Sequence, residues 1–350
     1  MMNDRISDKL KVLKPSGIRK FFDIVATKKD VISLGVGEPD FATPWNIVDA
    51  AFYNMKMGRT HYTSNFGLLE FRKEVGEYLK KYDLDYGPDE IIATIGGSEG
   101  IDLALRSIIN PGDEIIVPEP VYVPYRPLSE LTGATVVGID TSKTEFKVDA
   151  KELEKLITPK TKAIILCYPN NPTGQVATKE FFENVVKFAQ KNNIIVIHDA
   201  AYAALTYNDV KPLSFLSVDG AIDVGVEIHS LSKAFNMTGW RLGFLVGNEK
   251  IVSAYGVVKD NTDSGQFRAI QKAGAFALNN RWITENTVNK YSRRFKMLIE
   301  ALNEVGFNCV EPKGTFYSYV KIPTGTEEGV KFNTALEVAR YILLNANISV

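Results

Sequence analysis

Ala163-Ile164-Ile165-Leu166-Cys167, the turn Tyr168-Pro169-Asn170-Asn171-Pro172-Thr173-Gly174, a helical run after Thr178 and the segment Ile194-Ile195-Val196-Ile197 follow one another in direct succession. Both apolar runs are continuous rather than alternating, as strands covered on two faces must be. Between them Phe182, Val185, Val186 and Ala189 recur at helical spacing behind the cap candidate Thr178. Strand, helix and strand in that order make a crossover unit, and such units build parallel sheets. The alternation continues on either side. Further strand candidates are Ile91-Ile92-Ala93-Thr94-Ile95, Glu114-Ile115-Ile116-Val117, Thr135-Val136-Val137-Gly138-Ile139, Val224-Gly225-Val226-Glu227-Ile228 and Leu242-Gly243-Phe244-Leu245-Val246. Ile101, Ala104, Leu105, Ile108 and Ile109 mark one helical face, with Asp102 and Arg106 paired on the other. The pattern predicts an α/β fold with a mostly parallel sheet of about seven strands and helices on both faces.

The last third reads differently. A charged helix is predicted over about Ile283 to Val305, followed by an alternating strand Phe316-Tyr317-Ser318-Tyr319-Val320-Lys321-Ile322. A helix over about Thr334 to Leu344 then leads into Ile348-Ser349-Val350, which has the look of an opening strand.

With 350 residues, 45% of them hydrophobic, the chain can bury a large core. Its 41 basic and 42 acidic residues leave a net charge of −1, so no overall field draws it to nucleic acid or to an anionic membrane. There is no long apolar stretch, and Met1-Met2-Asn3-Asp4-Arg5 lacks a signal-peptide core. Cys167 and Cys309 are too far apart to read as a disulfide framework or a zinc site, and Cys167 is expected as a buried thiol. A reduced, cytoplasmic protein is expected, with no metal.

Ligands of open α/β sheets bind at the carboxyl ends of the strands. Lys233 falls at such an end, in His229-Ser230-Leu231-Ser232-Lys233-Ala234-Phe235-Asn236-Met237-Thr238-Gly239-Trp240-Arg241. A neutral amine there could hold an aldehyde as an imine, provided burial or nearby positive charge lowers its pKa. Arg241, fork-shaped and always charged, suits a phosphate. The plainer reading is a solvated basic loop. Asp199 ends another run and could keep a pyridinium nitrogen protonated, or else serve as a helix cap or metal ligand. Asn171 in its proline-bracketed turn could face a ring hydroxyl, or simply shape the turn. Tyr202 could reach the same oxygen or pack as an aromatic. Gly96-Gly97-Ser98-Glu99-Gly100 opens a helix and could admit a phosphate, although nucleotide-binding folds use such turns too. Tyr122 could stack on a flat ring or fill core. His198 and His229 lack metal-ligand spacing and suit hydrogen bonding to other site residues.

Taken together, these segments resemble the class I/II pyridoxal-phosphate aminotransferases, of the aspartate-aminotransferase fold type. The likeness runs from about Ser16-Gly17-Ile18-Arg19 to Val350 and includes Gly35-Val36-Gly37-Glu38-Pro39-Asp40, Tyr62 with Gly67, Gly97-Ser98, Tyr122, Asn171-Pro172-Thr173-Gly174, Asp199 with Tyr202, Ser230-Leu231-Ser232-Lys233 and Gly239-Trp240-Arg241. It implies fold type I, with a large cofactor-binding domain over 46–280 and a small α/β domain from 1–45 and 281–350. By the same resemblance Lys233 would bind pyridoxal 5′-phosphate and shuttle a proton between substrate Cα and cofactor C4′. Asp199 would face the pyridine nitrogen, Asn171 and Tyr202 the ring hydroxyl, and Tyr122 the ring. Gly97, Ser98, Glu99 through its N–H, Ser230, Ser232 and Arg241 would surround the phosphate. Tyr62 would reach the neighbouring subunit's phosphate, which implies a homodimer. Gly37 and Asn171 would lie by the substrate. Amino transfer between an L-amino acid and a 2-oxo acid should then be ping-pong.

The family's C-terminal arginine, which clamps the substrate carboxylate, has no counterpart here. The last arginine, Arg340, falls on a predicted helix, so either the sequence is truncated or another group binds the carboxylate; truncation is expected, because Val350 interrupts a strand. Asp263-Ser264-Gly265 and Glu227-Ile228-His229 look like the LL-diaminopimelate branch, whereas the N-terminal half is closer to prokaryotic aspartate or aromatic aminotransferases. Three other readings compete: a carbon–sulfur β-lyase or acyl-transferring synthase of the same fold, a cofactor-binding regulatory domain, and a Rossmann dehydrogenase. The regulatory domain would need a DNA-binding module that this near-neutral chain lacks. The dehydrogenase leaves Lys233, Asp199 and Asn171 unexplained.

Overall fold

The computed structural model describes residues 5–11, 13 and 30–350. Ser16-Gly17-Ile18-Arg19, where the family likeness begins, lie outside the described residues. Among those described the strands are β1 (Ile32–Ser33), β2 (Ile91–Thr94), β3 (Glu114–Glu119), β4 (Thr135–Asp140), β5 (Thr161–Cys167), β6 (Ile195–Asp199), β7 (Gly225–Ser230), β8 (Gly243–Gly247) and β9 (Ile348–Ser349).

β2 to β8 form one sheet, ordered β2-β8-β7-β6-β5-β3-β4. All seven runs predicted from residue 91 onward are in it. Every pairing is parallel except those of β8, which is antiparallel to both neighbours. Alternate residues supply two cores. Ile164, Leu166 and Val196 pack with Phe182, Val185 and Ala189 on one face, while Ile165, Cys167 and Ile197 pack with Ile101, Leu105 and Ile108 on the other. Each Ile, Leu, Val or Phe side chain among them stabilises by about 1.5–3 kcal/mol on full burial. Both faces are therefore covered, which is why the strands read as unbroken apolar runs. The helix Lys179–Asn192 starts where Thr178 Oγ1 accepts from Phe181 N at 3.1 Å, and it stops at Asn193 in the left-handed region.

Two features of this sheet place the site. β3 and β5 are adjacent, with β4 outside one and β6 outside the other, so the winding reverses between them. Such a reversal opens a crevice at the carboxyl ends of the strands. β8, running the other way, brings its first residue to that rim. Gly243 pairs with Thr94 at the end of β2 and with Ser230 at the end of β7. Arg241, just ahead of Gly243, is delivered to the same edge as the strand ends.

The chain divides into two compact units. One comprises Pro39–Arg293 and Pro312–Tyr317, the other Met1–Glu38, Arg294–Glu311 and Ser318–Val350. These bounds differ from the expected 46–280 and its complement, because the division falls inside the continuous helix Trp282–Glu304, where periodicity carries no mark of it. In the smaller unit β1 and β9 pair in parallel, Ile32 with Ile348 and Ser33 with Ser349. The helix Ala335–Ala346 begins in a capping box of Thr334 and Glu337, and Arg340 lies on it as predicted. The strand expected over Phe316 to Ile322 is absent. That segment passes from one unit to the other at Tyr317–Ser318. The rings of Phe316 and Tyr317 pack on Tyr202 at 5.5 and 6.0 Å, and Phe316 stacks on Tyr291 at 5.6 Å. Its alternation reports an aromatic cluster, not a sheet face.

Candidate active site

Ser230, the last residue of β7, caps the short helix Leu231–Ala234, with its Oγ accepting from Ser232 N at 3.2 Å. Lys233 rides on that turn, half-buried, with Nζ 5.2 Å from the Phe316 ring centroid and 5.9 Å from that of Tyr202. Ser232 itself is buried and serves the turn through its backbone.

Asp199 ends β6, opposite Cys167 of β5 and Ile228 of β7. It is 5% exposed. Its Oδ2 accepts from Tyr125 Oη at 2.6 Å and its Oδ1 from Ala201 N at 3.0 Å. Burial pushes the carboxyl above the ordinary aspartate range, and these hydrogen bonds only partly offset it. Tyr125 is raised well above a normal phenol, by burial first and then by the Asp199 charge. Burial likewise lifts the Cys167 thiol to about 12, so it packs as a protonated core residue, as expected.

Asn171 Nδ2 donates to Tyr202 Oη at 3.3 Å, and Tyr202 Oη donates onward to Tyr317 Oη at 3.3 Å. Asn170 holds the turn by accepting from Thr173 N and Oγ1 at 3.1 and 2.8 Å, leaving Asn171 to face the rim. Tyr122 follows β3, with its hydroxyl 3.3 Å from Ser98 Oγ and its ring edge-on to Tyr125 at 5.5 Å.

The helix Gly96–Ile108 opens beside these groups. At Gly96, with φ +72°, a Cβ would lie 2.4 Å from Arg241 Nη2; at Gly97 it would meet Ser230 Cβ at 3.9 Å. Ser230 and Arg241 thus lie close to the start of the helix that carries Gly97 and Ser98. Glu99 does not oppose an anion there. Its carboxylate turns back to accept from Ile95 N at 2.9 Å and pairs with Lys259 at 3.0 Å.

His198 and His229 bond to the buried Glu227, not to one of the named site residues. Glu227 accepts from His198 Nδ1 at 2.9 Å and His229 Nε2 at 2.5 Å, and also from Ser214 Oγ and Phe215 N. Burial acts to raise this carboxyl, but the imidazoles outweigh it and hold it well below the usual range. Tyr62 is 83% exposed, and Gly37 belongs to the smaller unit. Tyr125, Phe316 and Tyr317 were not singled out from sequence. An aromatic close after a strand end was the available signal for Tyr125.

A phosphorylated pyridine aldehyde fits these residues. Hydroxyls, helix N–H groups and a guanidinium suit a phosphate, and a buried carboxylate with neutral hydrogen-bond donors suits a pyridinium N–H. The family description aminotransferase class I and II matches residues 29–350. The chain belongs to that family. It is 42% identical over 347 residues to an LL-diaminopimelate aminotransferase of Methanococcus maripaludis, covering 98% of this chain and 82% of the relative. It is 38% identical over 351 residues to an aspartate aminotransferase of Pyrococcus abyssi, covering 99% and 89%. An aromatic aminotransferase structure from Pyrococcus horikoshii superposes with a TM-score of 0.87 at 33% identity, covering 98% and 88%. The fold is fold type I, and the enzyme is a pyridoxal-phosphate-dependent aminotransferase.

Proposed function

We propose that the rim residues of this aminotransferase hold the cofactor in the arrangement their positions suggest, and that Lys233 and Asp199 carry the chemistry. The supporting observation is that Asp199 ends β6 as a buried carboxylate while Lys233 follows the adjacent β7. When bound, the cofactor supplies a ring that accepts the negative charge developing at the substrate Cα. Asp199 holds a proton on the pyridine nitrogen, and because burial disfavours its lone charge it gains by facing that cation. Asn171 and Tyr202 hold the ring hydroxyl oxygen, and Tyr122 lies against the ring. Gly97, Ser98, Ser230 and Arg241, with the N–H of Glu99, grip the phosphate; Ser232 supports the turn they share. Lys233 Nζ takes the Cα proton and returns it at C4′.

Turnover on this reading is ping-pong, with one amino acid leaving as its 2-oxo acid before a second oxo acid enters. LL-diaminopimelate is the proposed donor, supported by the relative from Methanococcus maripaludis, and 2-oxoglutarate is the proposed acceptor. Aspartate or an aromatic amino acid is the second reading, supported by the two Pyrococcus proteins. A donor and oxo-acid panel decides between them. The active unit is proposed to be a homodimer, with Tyr62 serving the neighbouring site.

Borohydride reduction of the reconstituted enzyme should fix the cofactor covalently to the peptide carrying Lys233. Lys233→Ala should lose both that label and the long-wavelength absorbance, with no change of fold. A label retained in the variant would exclude this lysine.

A further inference from the structure

The segment Asp263-Ser264-Gly265, singled out above by its likeness to one branch of the family, makes contacts of another kind. Asp263 Oδ2 accepts from Lys259 Nζ at 2.5 Å and Oδ1 from Gly265 N at 2.7 Å. Lys259 is fully buried, and its Nζ also reaches Glu99 Oε1 at 3.0 Å. Glu99 Oε2 accepts from Ile95 N and from Tyr255 Oη, both at 2.9 Å. This arm ends on the residue that leads into Gly96–Ser98. A second arm leaves the other end of the same loop, where Gln266 Nε2 donates to the main-chain oxygen of Arg241. Gln266 O accepts in turn from Thr63 Oγ1 at 2.8 Å and Gln271 Nε2 at 2.7 Å, and Gln271 Oε1 accepts from Leu68 N at 2.6 Å. Gly265, with φ +82°, lets the loop lie against residue 63. A Cβ there would come within 2.7 Å of Thr63 O and Oγ1.

We infer that the 263–266 loop is a brace spanning the two halves of the phosphate cradle. Lys259, Asp263 and Gln266 are then positioning residues for the cofactor's phosphate, acting through Ile95 on one side and Arg241 on the other. Arg241 has φ 51°, a conformation an arginine keeps only when its surroundings hold it there, and Gln266 grips its carbonyl. The third tie, to Thr63, carries the brace to the residue next to Tyr62. The inference rests on the cradle assignment proposed above.

The test is the selectivity of the cofactor-free full chain for pyridoxal 5′-phosphate over pyridoxal, taken from the two dissociation constants. Loss of general packing weakens both vitamers, whereas loss of phosphate positioning weakens only the first. Gln266→Met should lower the selectivity about fivefold, as expected for one net hydrogen bond. Lys259→Met should lower it more; if that variant does not fold, Gln266→Met decides. Arg241→Asn is the reference, because asparagine tolerates the left-handed backbone. If Arg241→Asn keeps the selectivity, the cradle assignment fails and the brace with it. If Arg241→Asn loses it while the brace variants weaken both vitamers equally or neither, the loop is packing alone and only this inference is overturned.

Discussion

Asp199 shows what burying a single carboxylate costs. Burial raises its folded pKa above the ordinary value of 3.8, so the cofactor-free folded state binds that proton more tightly than the unfolded chain does. Stability contributed by this group is therefore present below the ordinary aspartate range and lost as pH rises through the raised value. Asp199→Asn removes the penalty. The melting temperature of the cofactor-free variant should gain on the wild type as pH rises above the ordinary aspartate range, and the amino-transfer rate of the reconstituted variant should fall about a hundredfold or more. A gap independent of pH would mean that burial does not govern this carboxyl. Asp199, Lys233 and Asn171 were legible in the sequence because each closes or follows an apolar run, and strand ends are where an α/β sheet works. Tyr125 and Tyr317 were not, since an aromatic that hydrogen-bonds to a site residue has the same sequence signature as one that fills core.

The helix Gly96–Ile108 is seated on β7 through Gly100, where a Cβ would lie 2.8 Å from Ile228 Cγ2. A methyl added there must lift the helix, and with it the N–H groups of Gly97 and Ser98. Gly100→Ala should cost about 1–3 kcal/mol by overpacking, measured by denaturant unfolding, and should weaken phosphate retention in parallel. Stability lost with no change in cofactor affinity would show that the helix start does not depend on its seat. The seven strands of the large sheet and the helices Gly96–Ile108 and Lys179–Asn192 were legible as elements, because both faces of the sheet are covered and each of these helices buries one stripe. The direction of β8 was not, since an apolar strand reads the same whichever way it runs. Only the pairing of Gly243 with Thr94 and Ser230 shows why Arg241 arrives at the working rim.

Across the whole molecule, Tyr62 is the residue whose proposed role needs a second copy of the chain. Mixing Lys233→Ala with Tyr62→Ala and allowing subunits to exchange should restore activity that neither parent has, because one of the two sites in a mixed dimer then has an intact lysine and an intact tyrosine. Tyr62→Ala left fully active, or no recovery on exchange, would place the tyrosine outside the neighbouring site. The smaller unit raises a question of timing. β1 and β9 join segments separated by more than three hundred residues, and Ile32 and Leu34 are each 59% exposed even when β1 is paired. A ribosome adding residues from the amino end releases the first partner long before the second exists. Until Ile348 emerges, that short apolar edge waits without its mate.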